Sequence, residues 1–389
     1  MKYDVIVLGL GAMGSAAIYQ LAKRGAHVLG IDRYAPPHGF GSTHGGTRVT
    51  RLAIGEGEHY TPLAKRSHEI WREIEYQTGA NLLCTNGGLI ISSKVNPAST
   101  HVKGFFQNTV DAARKHGVAH ELLDAAEIRR RYPMFNVRDD EFGYFEPSAG
   151  FVRPEACVHG QLELAKKHEA VLRTGETVLS YEPRADGVSI VTDKGSYEAD
   201  RLIIAAGAWA PELLGPDFAH LFKIYRQVLL WFQPRGSITA YRPDRFPIFI
   251  WELPDAGQGI YGFPAIDGTT GGIKVASESF VETTNPDDAL REVSSEEIAE
   301  THARYIAPFF PDLSDVCVKS AVCLYTVTPD FGFIIDQHPG SDRVMVASPC
   351  SGHGFKHSAA IGEALADWAT KTQSRHDLSP FGFARFGGR

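Results

Sequence analysis

The sequence predicts a mixed α/β fold, in which a Rossmann-like nucleotide-binding domain is interleaved with a second domain rich in β-sheet. Three stretches carry this prediction. Residues 3–32 read as strand, helix, strand. Residues 223–321 are rich in aromatic residues and broken by polar loops. Residues 343–370 return to a strand, a glycine-bearing loop and a helix.

The first stretch is YDVIVLGLGAMGSAAIYQLAKRGAHVLGID. Val5 to Leu8 form a short apolar run, as expected of a strand covered on both faces. Gly9, Gly11 and Gly14 follow in G-x-G-x-x-G spacing, and Ala16, Ala17, Ile18, Leu21 and Ala22 recur at helical period. Residues 27–31 read as the next strand, and Asp32 closes the unit 18 residues after Gly14. Each part has a physical role. Gly9 permits a tight turn, Gly11 lets the backbone approach a pyrophosphate at the positive helix N-terminus, and Gly14 allows close helix–strand packing. Asp32 can accept hydrogen bonds from an adenosine ribose, which favours NAD or FAD over NADP. The glycines stand in the strand–helix–strand context that the fingerprint requires.

Residues 33–60 are rich in Gly, Ser, Thr and His and read as a long loop of functional type. Arg48 and Arg51 lie three apart on it, which suits one face of a helical turn. Helices are expected at 62–78, 101–116, 125–131 and 154–167, and a strand at 87–92. His116 and His120 are four apart, but Gly117 intervenes and no third ligand is near, so exposed histidines are expected and no metal. Residues 188–190 and 195–197 suggest a hairpin. Residues 202–205 suggest a separate buried strand, with a tight turn at Gly207 where a ligand can approach. Between 223 and 321, Tyr225, Trp231, Phe232, Phe249, Trp251, Tyr261 and Phe263 fit an antiparallel sheet able to roof a cofactor, although most should be core. The loop SPCSGHGF precedes a helix at 356–370, whose positive end is placed to face an anion or an electron-rich ring edge.

Composition narrows the partners. Acids outnumber bases by 46 to 39, and no basic run suggests nucleic acid. No apolar run approaches membrane-spanning length. The opening strand begins too early to leave room for a signal peptide. The five cysteines include no C-x-x-C pair, which fits a reduced cytoplasm without disulfides or structural zinc.

The opening fingerprint, GGTRVTR, GEG, CLYTVTPD, FIID-x-HP and SGHGFKHS occur in order along nearly the whole chain. Together they resemble the monomeric sarcosine oxidase family, which includes sarcosine, N-methyltryptophan, pipecolate and fructosyl-amino-acid oxidases. The resemblance implies an FAD-binding domain from residues 1–85, 153–220 and 322–389, and a substrate domain from 86–152 and 221–321. It implies hydride transfer from a secondary amino acid to flavin N5. Dioxygen then reoxidises the flavin to give hydrogen peroxide, and the imine hydrolyses. A monomer or weak homodimer is expected.

Carried over by motif, Cys323 matches the cysteine bonded to the flavin 8α-methyl, and Arg48 the arginine over the flavin ring. Arg51 and Lys356 match the pair that holds the substrate carboxylate, and Lys274 the lysine that activates oxygen. Tyr261 and Tyr325 match pocket tyrosines, and His44 and His353 match histidines near the flavin. Ser42, Thr43, Gly207, Gly352, Gly354, Phe355 and Lys356 join the expected cofactor contacts. Two positions depart from the pattern. Glu278 stands where the sarcosine and N-methyltryptophan enzymes have a histidine, and Ile250 stands in place of a pocket methionine. The carboxylate points toward the fructosyl-amino-acid branch. A flavin dehydrogenase with a protein electron acceptor is the alternative, and Lys274 favours the oxidase. An NAD enzyme also fits the fingerprint, but not Cys323.

Overall fold

The computed structural model describes residues 2–94, 102–253 and 259–387. The opening unit is strand Lys2–Leu8, helix Ala12–Lys23 and strand Val28–Asp32. Parallel strands flank Lys2–Leu8 on both sides, with Val5 opposite Val28 on one and Arg201 on the other. Val5 to Leu8 are buried because both faces are covered: Val5 and Val7 pack with Ile18 and Leu21, and Ile6 and Leu8 with Leu202 and Ile204. Gly9 turns the chain at φ +83°, and a Cβ on Gly14 would stand 1.7 Å from the Gly9 carbonyl oxygen. Only glycine lets the helix start this close to the strand.

The first sheet has eight strands. Its path runs Val178–Arg184, Gly187–Thr192, Ser196–Ile204, Lys2–Leu8, Val28–Asp32, Val171–Thr174. Strand Ser341–Ser348 joins it in parallel at Leu202–Ile204 and carries Ile334–His338 antiparallel on its other side. Helix Ser358–Ala369 follows and packs on helix Ala12–Lys23.

The second sheet also has eight strands, in the order Leu313–Val327, Lys223–Pro234, Ile273–Ser277, Gly259–Phe263, Ile248–Glu252, Gly88–Ser93, Glu141–Glu146, Glu121–Asp124. It is antiparallel except where Ile248–Glu252 runs parallel to Gly88–Ser93. The pleat sorts its aromatic residues. Phe232, Phe249 and Trp251 enter one apolar cluster with Phe135 and Phe310, whereas Tyr225, Trp231 and Tyr325 enter another with Cys323. A third, small sheet joins Arg48–Thr50, Gly150–Val152 and Leu83–Cys84.

Several elements differ from the sequence expectation. Arg48 and Arg51 share no helical turn, because Arg48–Thr50 pairs as a strand with Gly150–Val152. The hairpin arm at 195–197 and the buried strand at 202–205 belong to one strand, Ser196–Ile204. Pairing with Lys2–Leu8 keeps one register from Glu198 to Ile204, so the polar middle stays with the strand, and the Asp200 side chain is bound to Lys2 at 2.6 Å. The helix expected from residue 101 starts at Phe105, after Gly104 in a left-handed conformation, and His101 lies outside the described residues. The helix expected from 356 begins at Ser358, behind a 3-10 turn at Phe355–His357. Strand Leu313–Val327 crosses residue 322 and lies wholly in the second sheet, so Cys323 is on the second sheet. Among the described residues no helix is long and apolar enough to cross a membrane, and no three His, Cys, Asp or Glu side chains gather as a metal site.

Candidate active site

Two cavities lie side by side. The larger, about 210 Å³, begins at the glycine turn and is lined by Gly9, Gly11, Asp32, Ser42, Thr43, Arg48, Gly207, Gly352, Gly354 and Phe355 among others. The smaller, about 80 Å³, is lined by Arg48, Arg51, Tyr261, Glu278, Ile250, His353 and Lys356 among others. They share a wall of Arg48, Tyr325, Gly352 and Phe355.

The larger cavity is built as a cradle of backbone. A side chain on Gly207 would project into open space, so the cavity reaches the main chain there. Asp32 accepts from the Leu10 amide at 2.7 Å and the Tyr34 amide at 2.8 Å, which fixes the carboxylate at the end of its strand. Burial pushes this carboxyl up, and the two amides act against it. At the other end, the loop after Ser348 folds back so tightly that a Cβ on Gly354 would stand 1.5 Å from the Pro349 carbonyl oxygen. The Ser351 amide donates to the Thr326 carbonyl at 2.9 Å, tying this loop to the strand that carries Cys323.

The stretch from Ser42 to Arg48 forms the next layer. Glu155, in the first turn of helix Pro154–Lys167, accepts from the Gly45 and Gly46 amides at 2.6 and 3.0 Å. Burial pushes the Glu155 carboxyl up, but the Gly46 amide and Arg48 outweigh it and leave it below its usual value. Arg48 donates to the carbonyls of Thr47 and Ser42 at 2.8 and 2.7 Å. Lys274 reaches the same turn from beneath, donating to the Gly45 and Thr47 carbonyls at 2.9 and 3.0 Å. Its ammonium also lies 4.7 Å from the centre of the Phe263 ring. Burial, with Arg48 nearby, pushes Lys274 well below its usual pKa. His44 is pushed down to about 4 by burial and Arg48, which keeps its imidazole neutral.

The smaller cavity brings together cations, phenols and carboxylates. Arg51 donates to the Ala53 carbonyl and to Glu56, and its Nε is buried without a hydrogen-bond partner. Lys356 donates to the His353 carbonyl at 2.7 Å and lies 3.9 Å from Glu56. Burial pushes Lys356 down to about 8, against the pull of Glu56. The Tyr261 and Tyr325 hydroxyls are 3.3 Å apart, and burial raises both, so they stay protonated across the neutral range.

All five residues expected to bind substrate, Arg51, Lys356, Tyr261, Glu278 and Ile250, line this cavity. Arg48 and Tyr325 line both cavities, and His353 the smaller one. Lys274, His44, Gly14 and Cys323 line neither; Gly14 serves packing. Sequence reasoning gave no role to Glu56 or Glu155. Glu56 sits in the GEG motif, and Glu155 has the position of a first-turn helix acid, but their partners are set by the tertiary fold.

The model of the FAD dependent oxidoreductase family matches residues 4–368. The monomeric sarcosine oxidase of Streptomyces avermitilis is 42% identical over 97% of this chain and 96% of its own. The N-methyl-L-tryptophan oxidase of Escherichia coli is 34% identical over 99% of this chain and 100% of its own. In fold, the chain superposes with a TM-score of 0.82 on NikD, an amino acid oxidase of nikkomycin biosynthesis, at 24% identity over 98% of this chain and 97% of that one. The two cavities and their glycine cradle therefore belong to an FAD-dependent oxidoreductase. Within that class, the chain belongs to the monomeric sarcosine oxidase family.

Proposed function

We propose that this protein oxidises secondary α-amino acids at the CH–NH group, with dioxygen as the final acceptor. The observation that carries this reading is the placement of two buried cations, Arg51 and Lys356, in the small cavity behind the Arg48–Tyr325 wall. The unpartnered Arg51 Nε suits a substrate carboxylate, and Lys356 adds a point charge. Held there, the amino acid presents its α-carbon and nitrogen to the shared wall. Tyr261 and Tyr325 bond to each other, which leaves one hydroxyl proton to donate toward the amino acid, and their rings help exclude water.

The residues of the larger cavity suit FAD: Gly11 at the helix start for the pyrophosphate, Asp32 for the ribose, and open backbone at Gly207. Bound FAD would accept the hydride and pass electrons to dioxygen, releasing hydrogen peroxide. In this reading Cys323 holds the flavin covalently and Lys274 offers positive charge to the oxygen reaction. In this reading the first sheet and its helices form the FAD-binding domain and the second sheet forms the substrate domain, so that Cys323 reaches the flavin from the second sheet.

The branch we favour is a deglycating one. Glu278 is 7% exposed and lines the small cavity. A carboxylate there can accept hydrogen bonds from hydroxyls of a polar N-substituent, which a bare methyl group cannot donate. The test is peroxide release under air from sarcosine, other N-methyl amino acids, cyclic imino acids and fructosyl amino acids. A fructosyl amino acid should outperform sarcosine in kcat/KM, and Glu278→Gln should narrow the gap. Sarcosine as best substrate with an indifferent Glu278→Gln would refute the branch. Turnover that needs an artificial electron acceptor would instead favour a dehydrogenase.

A further inference from the structure

Strand Ile273–Ser277 runs antiparallel to Lys223–Pro234, with Ile273 opposite Phe232 and Val275 opposite Leu230. The ladder then breaks, and pairing resumes only at the bridge between Tyr225 and Thr283. One strand advances five residues over this span and the other eight, so three extra residues bulge out of the second. Bulges beside active sites re-aim side chains. Glu278 sits in this one and lines the small cavity.

A bulge leaves backbone groups without strand partners, and here a side chain replaces them. Gln227, 1% exposed, faces the gap. Its Nε2 donates to the Ser279 carbonyl at 2.6 Å, and its Oε1 accepts from the Ser279 amide at 2.9 Å. A carboxamide carries one donor end and one acceptor end, as a peptide group does. Only Asn shares that chemistry, and it is one methylene shorter. Gln227 also stands directly opposite Cys323 in the ladder with Leu313–Val327.

We infer that Gln227 is a positioning residue for substrate selection: its carboxamide clamps the backbone at Ser279 and so fixes how Glu278 enters the small cavity. This rests on reading that cavity as the substrate site. Selectivity for the N-substituent would then depend on a residue that never touches the substrate.

The test uses flavin-loaded Gln227→Ala and Gln227→Glu, each with Glu278 intact and combined with Glu278→Gln. The first readout is hydrogen exchange in a peptide spanning residues 276–283. Losing both clamp bonds should speed exchange there about thirtyfold, the equivalent of about 2 kcal/mol for two hydrogen bonds, while residues 313–327 keep their protection. The second readout is the ratio of kcat/KM for fructosylglycine to that for sarcosine. It should fall about tenfold in Gln227→Ala, and no further when Glu278→Gln is already present, because coupled residues are non-additive. Gln227→Glu keeps one acceptor for the Ser279 amide and should lie between, which also covers a poorly folding Gln227→Ala. Unchanged exchange overturns the clamp, and equal ratio shifts in both backgrounds overturn action through Glu278. Wild-type protein that oxidises neither amino acid refutes the substrate reading, and the exchange result still decides whether the clamp exists.

Discussion

The Glu56 carboxylate stands 2.5 Å from the Arg51 guanidinium, with side chains only 5% and 2% exposed. The pair fixes the guanidinium while leaving Nε free to take a ligand. Losing one partner of such a desolvated contact costs about 2–5 kcal/mol. Arg51→Ala should therefore weaken binding of amino acids by that amount and of simple amines far less. Steady-state KM and inhibitor titrations across both classes would show it. Equal weakening of both would remove Arg51 from carboxylate recognition.

Cys323 lies on the same strand face as Tyr325, and the Ser42 hydroxyl donates to the Leu324 carbonyl between them. Ser42 belongs to the wall of the larger cavity, so this bond ties the backbone beside Cys323 to that wall. Protein precipitated with acid should remain yellow, and Cys323→Ser should release its flavin into the supernatant. Release from the wild type would disprove covalent attachment.

Lys274 is 1% exposed and spends its protons on the Gly45 and Thr47 oxygens. A fixed cation there would stabilise the anion formed as oxygen is reduced. Stopped-flow on Lys274→Met should show slow reoxidation with flavin reduction nearly unchanged. The sign of the pH effect follows from the lowered pKa: the charge is present at low pH and lost as pH rises through a value well below 10.5. Wild-type reoxidation should slow over that rise, and the variant should not respond.

Glu363 joins three parts of the chain: its own helix Ser358–Ala369, Arg66 and His376. It accepts from Arg66 at 2.9 and 3.0 Å and lies 3.4 Å from His376. Burial pushes its carboxyl up, but His376 and Arg66 outweigh that and hold it far below its usual value. A depressed folded-state pKa adds stability that is present above the unfolded value of 4.5 and is lost as pH falls below it. Glu363→Gln should lower Tm at pH 7, and the two curves should converge in acid. A constant Tm gap at every pH would mean the effect is packing alone.

What the sequence made legible was local. Residues 3–32 carry their whole argument in their own spacing, so strand, turn, helix and acid were readable there. Strand Ser196–Ile204 was not, because Glu198, Asp200 and Arg201 interrupt its apolar pattern and only the neighbouring strand keeps them in register. Arg48–Thr50 is too short to show a period, and its partner is a hundred residues away. The residues of the small cavity came from motif resemblance, whereas Glu56, Glu155 and Gln227 act through contacts that no local pattern encodes.

Leu8 and Phe355 line the same cavity. The glycine fingerprint leaves the ribosome early, yet the wall from Ala347 to Phe355 is synthesised near the end. The Leu202–Ile204 end of strand Ser196–Ile204 likewise waits for Ser341–Ser348 before its second edge is covered, since Gly187–Thr192 covers only Ser196–Ala199. Such distant pairings form slowly and leave strand edges open meanwhile. A nascent chain halted before residue 347 would present a complete fingerprint with one wall of its cavity, Ala347 to Phe355, still missing.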